Sequence, residues 1–287
     1  AMIHLGRRRN GNEFCGAFGH DFTFAEMRWL AYWLLVRGCN LLMPHAFYYS
    51  VRGPRIDERP PDVGPNSAWW GQFGPFADEC RRLCWLNTDS RHVCHIAILG
   101  RSDRLPWRAA KYCFEHQLDF NYVEARHLWE DAEAGADGIR MAGPHGGMTY
   151  RALIVEGEVP ERAKPALDAL ERAGRLLRWD PGAEPARWLA DLERLAPVDV
   201  RVSPHAPGLR VRHVFKEGLH YWILFNEARG DLQIKLDLAV PGPGALLDPQ
   251  TGEQEPWGRG DEVRLQSHAC RVLMIDPSLA DKSPRSE

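Results

Sequence analysis

The sequence predicts an α/β protein that closes with a small all-β domain, and three patterns carry that expectation. Residues 11–50 run strand, helix, strand with short links, the arrangement of a βαβ unit. Residues 92–178 repeat the alternation of apolar strand and amphipathic helix, as in a doubly wound sheet. From about Leu209, β runs follow one another with turns and no helices between them, as in a sandwich.

The first strand candidate ends just before Glu13, although the residues leading to it, HLGRRRNGN, are basic and polar. The spacing then predicts a helix over Thr23–Arg37. Thr23 can cap it, and Glu26 three residues on completes a capping box. Phe22 and Met27 stand at the two positions of a hydrophobic staple, and Gly38 stands where a C′ glycine belongs. The helix is apolar around much of its circumference, so it should be well buried. Cys39–Met43 is a continuous apolar run, the pattern of a strand covered on both faces. Residues 50–75 are rich in Pro, Gly and charge and read as a long loop, a kind usually functional when ordered. Phe76–Asn87 reads as an amphipathic helix.

In the second region, His92–Leu99 reads as a buried strand, Trp107–Gln117 as a helix and Phe120–Val123 as a short strand. Glu124–Ala132 is a helix candidate, Thr149–Val155 a strand and Pro160–Ala173 a helix, after which Gly174–Arg178 leads into another strand. Neither GxGxxG nor a P-loop occurs, so no cofactor is expected. The β runs LRVRHVF, HYWILFNE, LQIKLDL and HACRVLMI are separated by turn residues, and the tail DPSLADKSPRSE reads as disordered. These patterns divide the chain at 1–89, 90–200, 205–277 and a tail at 278–287.

The 287 residues carry 44% apolar and 26% charged side chains and a net charge of −3, the profile of an ordinary soluble protein without general affinity for nucleic acid or acidic membranes. No apolar run reaches the length of a membrane span, and AMIHLGRRRN has no signal-peptide core, so a cytoplasmic location is expected. The seven cysteines are odd in number, irregularly spaced and set among apolar neighbours, which predicts buried free thiols. Cys80 and Cys84 lie one helical turn apart near His92, Cys94 and His95, but without a CxxC pair core packing is expected rather than metal.

The residues able to do chemistry cluster at the ends of the first two strands. Side chains at the C-terminal ends of parallel strands line one shared mouth, where ligands bind. Glu13 would bring a carboxylate there. His45 and, more weakly, His20 would hold substrate or orient Glu13. Tyr48, Tyr49 and the Trp69–Trp70 pair would offer ring faces to sugar C–H groups. Asp57 and Glu58 read as a solvated pair, Arg52, Arg55 and Arg59 as braces of the loop, and Asn226-Glu227 as structural.

Glu13-Phe-Cys-Gly-Ala-Phe-Gly19, with Asp21-Phe-Thr-Phe and Glu26-Met after it, resembles a strand and helix near the end of the barrel in α-L-rhamnosidase-like (β/α)8 glycoside hydrolases. Asn40, Pro44 and His45–Ser50 match the family's next strand end; Gly53-Pro-Arg55, Arg59–Asp62 and the paired tryptophans match the loop beyond it. Tyr150-Arg-Ala-Leu-Ile-Val155 resembles the flavodoxin- or glutaminase-like domain of such enzymes and of related barrel galactosidases. Phe225-Asn-Glu227 and Asp248–Gly252 resemble their C-terminal β-sandwich.

The resemblance implies the last β/α units of a barrel, then a flavodoxin/glutaminase-like domain, then a β-sandwich. It implies hydrolysis of a terminal sugar, such as rhamnose, from a glycan or glycoside, with a carbohydrate as partner and homo-oligomers formed through the middle domain. A whole barrel takes about 250 residues, so residues 1–89 would supply only its end. Glycosidases typically use two carboxylates, and the partner of Glu13 would lie on an upstream strand. A non-catalytic carbohydrate-binding or scaffold piece is the alternative. An amidotransferase would need a cysteine at the turn Val155–Glu158, which has none.

Overall fold

The computed structural model describes residues 2–142, 147–180, 182 and 184–282. It is a mixed α/β structure with several sheets. Two compact units emerge: His92–His213 with the residues up to Arg8 and Ile234–Val240, and Arg9–Arg91 with Val214–Gln233 and the chain from Pro241.

Strand β1 (Gly11–Phe14) is followed by helix α1 (Phe24–Leu35), strand β2 (Leu41–Pro44) and helix α2 (Phe73–Asn87). The α1 start is built as its sequence dictates. The Thr23 hydroxyl accepts the Glu26 N–H at 3.2 Å, and the Glu26 carboxylate accepts the Thr23 N–H at 2.8 Å, which holds that carboxyl below its usual range. Gly38, at φ +89°, turns the chain out of the helix. Helix α2 begins at Phe73, three residues before the sequence suggests. Pro75 falls in its first turn, where a missing N–H costs nothing.

Glu13 lies within β1, not after a strand, because the polar run before Gly11 forms turns. β1 and β2 pair in parallel with Gly11 opposite Leu41 and Glu13 opposite Met43. Phe14 faces the core, while Leu41 and Met43 are 44% and 46% exposed. The expectation of a strand covered on both faces therefore fails. An apolar run cannot say which face will find a partner, and here one face has none among the described residues.

In the other unit, β3 (Ile96–Gly100), α3 (Trp107–Glu115), β4 (Phe120–Glu124), β5 (Ala152–Val155), α4 (Lys164–Arg172), β6 (Leu176–Arg178) and α5 (Pro185–Leu195) follow in order. The four strands form a parallel sheet in the order β6-β5-β3-β4. Ala97, Leu99, Leu153 and Val155 pack toward Leu167 and Leu170 of α4, while Ile96, Ile98, Ala152 and Ile154 pack toward Ala109 and Cys113 of α3 and Leu192 of α5. Alternate residues thus serve two helical layers, which explains why these strands read as unbroken apolar runs.

Several elements depart from the sequence reading of this region: the strand expected over His92–Leu99 begins at Ile96, and the one expected over Thr149–Val155 is broken at Arg151, with Thr149 and Tyr150 pairing with Arg140 and Ile139 instead. Glu124–Ala132 holds only a short helix, His127–Glu130, and Ala132–Gly135 then pairs with Gly138–Met141 as a hairpin. The chain turns at Ala136-Asp137, and Gly138 opens the second strand opposite Gly135. Gly138 has φ +107°, and a Cβ there would fall 1.9 Å from the Tyr150 carbonyl oxygen. Gly138→Ala should cost several kcal/mol, because clash and left-handed strain add, read as a fall in the urea midpoint. A loss below about 1 kcal/mol would show that the hairpin shifts freely.

The remaining strands include β7 (Leu219–Asn226), β8 (Gly244–Leu247), β9 (Gln254–Trp257) and β10 (Cys270–Ile275), antiparallel in the order β9-β8-β10-β7. Ile223, Phe225 and Val272 from these strands share one buried cluster with Met27, Ala31 and Leu35 of α1 and Leu83 and Leu86 of α2. Asn226, fully buried, donates to the carbonyls of Gly230 and Gln266 and accepts the Ala228 N–H, so its role is to tie turns together. Pro277–Lys282 forms a 3-10 turn within the expected tail, and residues 283–287 lie outside the described ones.

Candidate active site

Glu13 and His45 lie at the same end of the parallel β1–β2 pair. Glu13 sits one residue from the end of β1, and His45 follows β2, its N–H bonded to the Phe14 carbonyl at 3.0 Å. Gly16 marks their meeting point: a Cβ built there would lie 3.3 Å from Glu13 Oε1 and 3.5 Å from His45 Cδ2. Both side chains are exposed and open to a ligand. Leu41 and Met43 lie on the same face of the sheet as Glu13, by register.

Beyond His45 the loop is ordered by one carboxylate. Asp62 is buried at 6% exposure. Its Oδ1 accepts the N–H groups of Tyr48 at 3.2 Å and Gly64 at 2.9 Å, and its Oδ2 accepts the N–H of Asn66 at 2.8 Å. The Asn66 side chain donates to the Tyr48 carbonyl, and backbone bonds join Ala46 to Pro61 and Val63 to Ala46. A Cβ on Gly64 would meet Phe47 at 2.8 Å and Asp62 Oδ1 at 3.0 Å, so only glycine lets the two limbs close. The sequence signal for Asp62 was present in Asp-Val-Gly, an Asx-turn pattern.

His20 and Tyr48 are held by this loop. The His20 ring accepts the Asp62 N–H at Nδ1 and donates from Nε2 to the Arg55 carbonyl, both at 3.4 Å. The Tyr48 hydroxyl donates to the Pro60 carbonyl at 3.0 Å, and burial followed by the nearby Glu58 raises its phenol. Each polar group is thus already used in bracing, which leaves the ring faces. Tyr49 is fully exposed. Asp57 and Glu58 are exposed, with Glu58 3.8 Å from Arg55.

The tryptophan pair divides. Trp69 packs on Phe24, 5.5 Å between centroids, against the buried core. Trp70 stays 38% exposed, stacked on Phe73 at 5.1 Å and edge-on to Phe47 at 5.9 Å. Phe47, Trp70 and Phe73 form an aromatic platform two residues along the chain from His45. Phe47 and Phe73 were not singled out from sequence, since nothing in a single chain says that an isolated Phe will lie beside a distant Trp.

All seven cysteines are free; six are buried and Cys84 is half-buried. Burial raises every one of their thiols, Cys15 to about 12, so they are poor nucleophiles. No group of three or more His, Cys, Asp or Glu among the described residues could hold a metal ion. Among the same residues, no helix is long and apolar enough to cross a membrane.

No protein-family model and no curated protein sequence matches the chain. Solved structures do. The chain superposes on a rhamnosidase from Novosphingobium sp. PP1Y with a TM-score of 0.65 at 16% identity, covering 99% of this chain and 32% of that one. The GH42 β-galactosidase Gan42B of G. stearothermophilus gives 0.62 at 10% identity, covering 92% and 53%. A β-galactosidase from Bacillus circulans sp. alkalophilus gives 0.54 at 10% identity, covering 92% and 55%. The chain thus spans between a third and just over half of these enzymes. Its fold is that of part of a glycoside hydrolase, like the corresponding part of the rhamnosidase and the β-galactosidases.

Proposed function

We propose that this chain carries one wall of a glycosidase active site that removes a terminal sugar, such as rhamnose, from a glycan or glycoside. The observation that supports this reading most is the meeting of Glu13 and His45 over Gly16 at the ends of two paired parallel strands. Glu13 would attack the anomeric carbon or activate a water, as one of the two carboxylates such hydrolysis uses. His45 would bind a sugar hydroxyl or orient Glu13, and the exposed Trp70, braced by Phe47 and Phe73, would take the apolar face of the ring. His20, Tyr48 and Tyr49 would complete the wall, and Trp69 would support Trp70 from the core side.

The open face of β1 and β2 supports the finer reading of these strands as the end of a (β/α)8 barrel. Exposed Leu41 and Met43 would face its interior, and the parallel-sheet unit and the C-terminal β region would be its flavodoxin/glutaminase-like domain and β-sandwich. The same open face favours a second reading, a carbohydrate-binding scaffold without hydrolysis of its own, because the second carboxylate that such hydrolysis uses would have to come from beyond these two strands. Nitrophenyl α-L-rhamnoside separates the two. Hydrolysis by this chain, or by a version extended upstream, should fall about 10³-fold or more in Glu13→Gln. Undiminished hydrolysis in that variant would refute the catalytic role. Rhamnose binding without hydrolysis in both versions would favour the scaffold.

A further inference from the structure

The parallel sheet holds a feature that the site around Glu13 does not use. Its strand order reverses between β3 and β5: the chain moves from β3 outward to β4, then returns to the other side of β3 for β5 and β6. In open α/β sheets ligands bind beyond the carboxyl ends of the strands at this switch point. A cleft of about 300 Å³ lies there. That is the lower end of the range for small-molecule sites, about 300–1,000 Å³, and suits a ligand of monosaccharide size.

The lining states the ligand's chemistry. Leu99, Pro106 and Val155 supply a buried apolar floor. Arg101, Arg104, Glu156 and Glu158 surround it. Two cations and two anions leave no net charge, and the fixed charges are largely compensated already. Arg101 is clamped by both oxygens of Asp103 at 2.9 and 2.7 Å. Glu156, its side chain only 7% exposed, accepts the Ala109 N–H of α3 at 3.0 Å and lies 3.9 Å from Arg108. It therefore stands where an anion would otherwise sit on that helix, which argues against a phosphate ligand. What remains is hydrogen-bonding capacity of both kinds, with Arg104 as exposed donor and Glu158 as exposed acceptor. Paired donors and acceptors over an apolar floor suit a neutral polyhydroxylated ring, whose hydroxyls both give and take hydrogen bonds.

We infer that this cleft at the β3–β5 switch point is a second binding site, for a neutral monosaccharide, separate from the mouth at Glu13. The inference stands on the parallel-sheet unit alone and does not depend on the proposed hydrolysis.

Titration of the 15N-labelled full chain with L-rhamnose and with D-galactose tests it, with glycine and inorganic phosphate as charged controls. At least one sugar should shift the amides of residues 99–106 and 155–159 saturably, and the controls should leave them in place. Arg104→Ala and Glu158→Gln, both exposed positions whose variants should keep the wild-type Tm, should each weaken that sugar at least tenfold. Glu13→Gln should leave the affinity unchanged. The inference is overturned if neither sugar moves these amides, if phosphate or glycine moves them more than sugar, or if both cleft variants bind as wild type.

Discussion

Replacing Asp62 by alanine should destabilise the protein by about 3–5 kcal/mol and open the loop that follows His45. The carboxylate accepts the backbone N–H groups of Tyr48, Gly64 and Asn66 from a position 6% exposed. Hydrogen bonds to a charged acceptor are the strong ones, and each buried donor left unpaired costs about 1–3 kcal/mol. The lost bonds stitch residues 46–48 to 61–66, so the platform around Phe47 and Trp70 should loosen with them. Asp62→Asn keeps one acceptor oxygen but presents an amide to the Asn66 N–H or to the other pair, so it should fall between wild type and alanine. Chemical denaturation measures the loss, and limited proteolysis within residues 50–70 reports the opening. A loss under 1 kcal/mol with unchanged proteolysis would mean that water replaces the carboxylate and that the loop is held by its other contacts.

Glu79→Gln should stabilise the protein at pH 8 and leave it unchanged at pH 4.5 or below. Glu79, on α2, is 1% exposed. Burial lifts its carboxyl from 4.5 to about 7, opposed by Arg28 at 3.4 Å and reinforced by Asp248. Its Oε1 has no hydrogen-bond partner among the described residues. A carboxyl whose folded pKa is raised binds its proton more tightly in the folded state. Its contribution to stability is full below about 4.5, falls as pH rises through about 7, and is lost above. The loss should approach about 3 kcal/mol, with a slope of at most about 1.4 kcal/mol per pH unit. Gln carries no charge to desolvate, so the variant should lose that slope. Arg28 is 30% exposed and can turn to water when its partner is neutral. Stability against pH, measured for both proteins between pH 4.5 and 8.5, decides it. Parallel curves would show that Glu79 is not the titrating group.

Much of the fold was legible because its signals are local. Thr23 and Glu26 cap α1 through atoms three residues apart, and Gly38 ends it through its own backbone freedom, so neither needs the rest of the chain. The apolar runs at 92–99 and 149–155 announced buried strands, and their later parts, Ile96–Gly100 and Ala152–Val155, are strands between two helical layers. The hairpin at 132–141 departs from the helix expected over 124–132: its two turn positions are Ala136 and Asp137, with the glycine only at the next position, so they lack the Asn-Gly or Asp-Gly pair that signals a hairpin. Helix α5 falls between the strand expected at 174–178 and the β runs from Leu209, where the sequence pattern assigns no element.

Residue type by itself determined which groups could do chemistry: a carboxylate at position 13, an imidazole at 45, aromatics at 48–49 and 69–70, and cysteines whose apolar neighbours foretold burial. Those properties belong to the side chains and their immediate neighbours. Tertiary structure alone decided which of them meet. It set Glu13 and His45 around Gly16, sent Trp69 to the core and Trp70 to the surface, and spent the polar atoms of His20 and Tyr48 on the loop. It also turned Asp62 into the loop's anchor and left one face of β2 open. Each outcome depends on parallel pairing across an intervening helix and on which face finds a partner. A period of hydrophobicity along the chain carries neither, because it records how much surface needs covering and not what covers it.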